Sequence, residues 1–129
     1  MIYEYSGSVT SDLECIKFFL DEILVQMENY IKDQETIFDL RLILNELVLN
    51  GAIHGNKLSK SKEVSLEISL KNGVMQISVE DEGDGIECSI NEYDPSEMKC
   101  CGRGLIIVDR LSDKLLIEKN KIRVVKNLV

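Results

Sequence analysis

Three short groups of residues in this sequence carry side chains or backbone suited to chemistry. In the first, Glu46, Asn50 and His54 recur every four residues within a helical pattern, with Asn45 beside them, so they stack along one helical face. A carboxylate and a carboxamide one turn apart suit a divalent cation or a proton transfer: Asn offers a neutral oxygen ligand, Glu a base or a water-mediated ligand. The second group is Asp81-Glu82-Gly83-Asp84-Gly85, directly after an alternating strand pattern. An acid at a strand end followed by alternating glycines marks backbone that approaches something closely. The third is Gly102-Arg103-Gly104-Leu105 at the head of a helical pattern, where unpaired N–H groups can grip phosphate. Each group has a plain alternative when taken singly: a solvated helix face, a tight turn, an ordinary helix start.

The elements that must position these groups are legible from periodicity. IYEYSG alternates as a short opening strand. Ser11 with Glu14 three residues on has the capping-box pattern, predicting a helix behind it through about residue 31 on the stripe Leu13, Ile16, Leu20, Ile23, Leu24, Met27, Ile31. Asp33 caps a second helix whose stripe is Ile37, Leu40, Leu44, Leu47 and Val48, running up to Gly-Ala-Ile-His-Gly. Val64–Leu70 and Val74–Val79 alternate around Lys-Asn-Gly, a hairpin signal. Residues 81–101 are polar and contain the sole proline, Pro95, and so are expected as a loop; Gly104–Leu111 supports a third helix, and the chain ends as two strands around a Lys-Asn-Lys turn. Several strands are joined directly by hairpins, so the expected fold class is α+β: a two-layer sandwich of one mostly antiparallel mixed sheet with helices on one face.

Bulk properties bound the partners. At 129 residues with 44% hydrophobic and 29% charged side chains, and with no linker or repeat, a single domain over 1–129 is expected. A net charge of −8 argues against nucleic acid, whose binding rests on Lys and Arg, and against an anionic membrane. It leaves room for an anionic nucleotide, which backbone N–H groups and a metal ion can hold. The opening MIYEYSGSV lacks a basic segment followed by an apolar run, so no secretory leader is expected, and no apolar run approaches the roughly 18 residues of a membrane span. Cys15, Cys88, Cys100 and Cys101 show no CxxC spacing and the vicinal pair is a poor disulfide candidate; a reduced, cytoplasmic setting is the simplest reading. A zinc site from Cys88, Cys100, Cys101 and His54 fits by ligand type and not by spacing.

Taken together and in this order, E-x3-N-x3-H-G, D-x-G-x-G and G-x-G-L resemble the N-box and glycine boxes of the GHKL ATPase superfamily. The spacings and the short segment between glycine boxes look like its anti-sigma-factor serine/threonine kinase branch, with a fold of the Bergerat type, and the likeness runs from about residue 8 to residue 119. The resemblance implies ATP and Mg²⁺ as cofactors. Glu46 would be the general base for a substrate hydroxyl, Asn50 would hold Mg²⁺, and Asp81 would accept a hydrogen bond from the adenine amino group. Gly83 and Gly85 would let the backbone close under base and ribose, with Ile86 beside them. Gly102 and Gly104 would cradle the phosphates, joined by Lys99, Arg103 and Leu105. His54 would belong to the N-box as a pocket-edge residue, with a phosphoacceptor role as the alternative; Glu80 and Glu82 would be solvated.

The implied protein sequesters a sigma factor and phosphorylates an anti-sigma-factor antagonist, acting as a homodimer. The alternatives are an ATP-binding regulatory module without phosphotransfer, and the catalytic domain of a sensor histidine kinase, which would want a helical phosphoacceptor pair and a longer lid. Two departures from the pattern stand out. Gly51 replaces the usual alanine after the N-box Asn, loosening the helix by roughly 1 kcal/mol, and the basic residue that some members carry before the second glycine box has only Lys99 or Arg103 as stand-ins. The vicinal cysteines there raise the idea of redox influence on nucleotide binding.

Overall fold

A computed structural model describes residues 2–83 and 102–128, with only the backbone described at Gly102 and Arg103. The chain runs β1 (Ile2–Thr10), α1 (Leu13–Met27), α2 (Gln34–Asn50), a π-helical turn (Gly51–Gly55), β2 (Glu63–Lys71), β3 (Val74–Glu80), α3 (Gly102–Leu111), β4 (Lys114–Glu118) and β5 (Lys121–Asn127). The five strands form one sheet in the order β1-β2-β3-β5-β4, and every pairing is antiparallel.

Alternation decides which sheet face is covered. Val64, Leu66, Ile68 and Leu70 of β2 are buried, as are Met75, Ile77 and Val79 of β3 and Ile122 and Val124 of β5. Ser65, Glu67, Gln76 and Arg123, on the other face, are exposed. The helices supply the opposing layer: Ile16, Leu20, Ile23, Leu24 and Met27 from α1, Leu40, Ile43, Leu44, Leu47 and Val48 from α2, and Leu105 and Val108 from α3 all join the same core. The α+β sandwich expected from the sequence is the one observed.

Local chemistry explains the turns. Asn72 and Gly73 have φ of 52° and 76°, the left-handed pair that a two-residue I′ hairpin needs between Lys71 and Val74. The β4–β5 hairpin turns at Lys119-Asn120 differently, with only the first of the two residues left-handed, Lys119 at φ 49°. Lys126 on β5 donates to the carbonyl of Leu111 at 2.6 Å, satisfying the C-terminal end of α3 and tying it to the sheet.

Three expectations are corrected. The N-cap of α1 is Asp12, whose carboxylate accepts from the Glu14 N–H at 2.9 Å, and not Ser11. Ser11 is 1% exposed and its hydroxyl donates to the carbonyl of Lys62, because burial beside β2 demands a partner there. The first helix ends at Met27 and not near residue 31, and Leu13, at its first turn, is exposed while the rest of its stripe is buried. The opening strand runs on to Thr10, paired along its whole length with β2.

Leu44, fully buried where α2 crosses the sheet, is the position at which the core is most directly testable. Leu44→Ala is expected to cost about 2–5 kcal/mol of unfolding free energy, read as a lower urea midpoint at unchanged slope; an unchanged midpoint would contradict the packing described.

Candidate functional site

The inward stripe of α2 fixes what its other residues face. With Leu44, Leu47 and Val48 held in the core, Glu46 and Asn50 come to the half-buried margin, one turn apart. Glu46 meets the head of α3 there. A Cβ built on Gly104 would overlap the Glu46 carboxyl group, with Cδ only 2.8 Å away, so the two helices approach this closely because residue 104 has no side chain. Leu105 and Val108, both fully buried, hold α3 in that position. The Leu105 side chain is therefore an anchor in the core, and any part it takes in the site is confined to its backbone.

Past Asn50 the helix widens. Gly51–Gly55 form a π-turn, closed by the N–H of Asn56 bonding to the carbonyl of Gly51 at 2.8 Å and that of Leu58 to the carbonyl of Ala52 at 2.8 Å. Lys57 and Leu58 then take left-handed φ of 53° and 55°, reversing the chain toward β2. The loosening expected at Gly51 thus takes the form of a defined π-turn. His54 lies within it, exposed, where the four-residue repeat that stacked it with Glu46 and Asn50 no longer holds.

Asp81, the first residue after β3, packs against this turn. A Cβ on Gly51 would sit 3.4 Å from Asp81 Cβ, and one on Gly55 would fall inside the Asp81 carboxyl group; Gly83 in turn lies against the backbone of Gly55. Asp81 is 9% exposed, and burial pushes its carboxyl group above the ordinary value of 3.8; the Gly83 N–H, which donates to Oδ1 at 2.7 Å, pulls the other way, and Glu80 nearby adds to the rise. The main chain of Asp81 is held by Asn120: its N–H donates to the Asn120 carbonyl at 3.0 Å, and the Asn120 side-chain amide donates to the Asp81 carbonyl.

Two junctions at one end of the sandwich therefore carry the candidate residues: Glu46 against Gly104, and Asp81 with Gly83 against the π-turn that follows Asn50. Gly102 opens α3 beside the first. Gly85, Ile86 and Lys99, together with Cys88, Cys100 and Cys101, lie outside the described residues, as does the side chain of Arg103. Among the described residues no three His, Cys, Asp or Glu side chains gather as metal ligands. Asn56 and Asn120 also hold the site and carry no motif in the sequence. Asn56 is 1% exposed and fully bonded, yet nothing around it in sequence marks its partners, which come from Ser11, Glu63 and Glu82.

Known proteins match this sequence. The family described as a histidine kinase-like ATPase domain matches residues 10–126. An anti-sigma F factor of Clostridium perfringens strain SM101 is 33% identical over 94 residues, covering 67% of each chain. Another from Clostridium perfringens strain 13 is 30% identical over 92 residues, 67% of this chain and 66% of the relative. One from Geobacillus stearothermophilus is 26% identical over 89 residues, 65% and 61% respectively. The matched region thus spans about two thirds of these relatives.

Burial of Asp81 sets a pH dependence whose sign is fixed. A carboxyl group that binds its proton more tightly folded than unfolded lowers stability as pH rises from 3.8 through its raised folded value. Asp81→Asn keeps the acceptor for Gly83 and removes this loss. The melting-temperature difference between variant and wild type is expected to move in the variant's favour as pH rises through that window and to level off above it. A difference independent of pH would contradict the buried, ionising carboxyl.

Proposed function

The chain belongs to the histidine kinase-like ATPase domain family, and from that premise we propose that it is an ATP-dependent anti-sigma factor that phosphorylates a serine or threonine of a protein antagonist. The observation that carries the reading is the contact of the Glu46 carboxyl with Gly104, which brings a proton acceptor to the head of a glycine-opened helix. N–H groups at such a helix start favour phosphate oxygens, and a carboxylate beside them suits a hydroxyl that attacks the terminal phosphorus.

In the proposed reaction the substrate hydroxyl oxygen forms a bond to the γ-phosphorus. The bond from that phosphorus to the β–γ bridging oxygen breaks, ADP leaves, and the hydroxyl proton passes to Glu46. Asn50, one turn from Glu46, would hold Mg²⁺ through its neutral carboxamide oxygen, and the metal would supply charge neutralisation at the phosphates. Asp81 would accept from the adenine amino group. Gly83, with Gly85 and Ile86, would line the base side, and Gly102, Gly104, Lys99, Arg103 and the backbone of Leu105 the phosphate side.

The partner reading rests on the relatives, which are named as anti-sigma F factors. It proposes a sigma factor as the sequestered protein and an antagonist as the phosphoryl acceptor, with the chain acting as a single-domain, cytoplasmic homodimer. Among the described residues no helix is long and apolar enough to cross a membrane.

The test is transfer of labelled γ-phosphate from ATP, with Mg²⁺, to a candidate antagonist, run beside Glu46→Gln. Label is expected on a Ser or Thr of the antagonist and should fall by roughly 10²–10⁴-fold in the variant, the usual contribution of a general base, with ATP binding retained. Tight ATP binding with no transfer by the wild type would replace the kinase with a nucleotide-binding regulatory module. No binding of ATP would remove both.

A further inference from the structure

The most completely bonded buried polar group among the described residues is the carboxamide of Asn56, and its bonds lead into the site. Nδ2 donates to Ser11 Oγ at 2.9 Å and to the carbonyl of Glu63 at 3.0 Å, and Oδ1 accepts from the N–H of Glu82 at 2.7 Å. The orientation of the amide is forced. The Glu82 N–H can only donate, so the oxygen must face it. Ser11 spends its own proton on the carbonyl of Lys62, so its oxygen is left to accept. With Asn56 itself buried, a flipped amide would set donor against donor at Glu82, which is costly.

Glu82 lies between Asp81 and Gly83, the two residues of the turn in which the Gly83 N–H bonds to Asp81 Oδ1. Its side chain is also anchored, accepting from the N–H of Glu63. The Asn56 backbone N–H closes the π-turn on Gly51, the residue after Asn50. One residue thereby ties the end of α2 to the segment 81–83. Asn120 holds the other side of the same segment through the main chain of Asp81.

From this geometry we infer that Asn56 is a positioning residue for base recognition: it sets the Asp81 carboxyl at the height and angle from which adenine is told from a 6-oxo purine. The inference rests on the nucleotide-binding reading above and adds to it a residue that touches no ligand. Without the Asn56 bond to the Glu82 N–H, the segment 81–83 keeps the Asn120 and Glu63 contacts but loses its tie to the π-turn, and a hydrogen bond that depends on direction weakens first. Contacts to the triphosphate, made at the head of α3, are left in place.

The experiment compares the dissociation constants of ATP and inosine triphosphate for wild type, Asn56→Ala, and Ile23→Ala, a core truncation remote from the site that serves as a destabilised control. Asn56→Ala is expected to reduce the ATP-over-inosine-triphosphate preference by about tenfold, the worth of one charge-assisted hydrogen bond, mostly by weakening ATP. Ile23→Ala should melt earlier and keep the wild-type preference. A preference in Asn56→Ala equal to wild type would show that the residue only braces the fold and would overturn the inference, leaving the nucleotide reading intact. Failure of the wild-type chain to bind either nucleotide would overturn both. Should Asn56→Ala not fold, amide exchange in the wild type decides: the Glu82 N–H is expected to be protected against exchange, and exchange at the rate of an open loop amide would rule out the anchor.

Discussion

The molecule turns on one tight place, the seam where the end of α2 meets the end of β3. A carboxyl group is buried there against helical backbone, and the fit admits no Cβ at Gly55. Burying a carboxyl costs free energy that hydrogen bonds must offset. The Gly83 N–H meets one of its oxygens, while Asn120 and Asn56 secure the backbone on either side. The π-turn belongs to the same constraint. The widened backbone presents Gly51 and Gly55 to Asp81 and hands the chain on, through two left-handed residues, to β2.

The rest of the fold serves that seam. The helical stripe of α2 and the alternating faces of β2 and β3 share one core, so the last turn of the helix and the last residue of the strand arrive together. The buried Leu105 and Val108 do the same for α3, whose Gly104 leaves room for the Glu46 carboxyl. Family membership in the histidine kinase-like ATPases bears out the resemblance drawn from the three motifs, and the antiparallel sheet with its helices bears out the expected fold.

What was legible in the sequence follows the range of the forces involved. Strand alternation located the end of β3, so Asp81 was visible as an acid at a strand end. Helical spacing paired Glu46 with Asn50. These are local signals. Ser11 was misread because Ser-x-x-Glu is also a capping pattern, and a neighbouring Asp competes for the same cap; the winner is decided by the demand of Lys62 and Asn56, distant in sequence, for the Ser11 hydroxyl. Gly51 signals a weak helix, but the neighbours it packs against at the π-turn, Asp81 and Val64, lie in no window around residue 51. Asn56 and Asn120 looked like ordinary turn residues for the same reason.

The reach of these bonds along the chain bears on how the protein folds. Ser11 and Asn56 are 45 residues apart, Asn56 and Glu82 26, and Asp81 and Asn120 39. Contacts between distant segments form after the loops that separate them have closed, and their loop-closure entropy is offset only at the end. The helices and the β2–β3 hairpin can form early on local interactions, whereas the clamp around residues 81–83 waits for the β4–β5 turn that carries Asn120. On the proposed function, the base-binding end would be completed last during folding, and a nucleotide bound there would favour the completed state over every partly folded one.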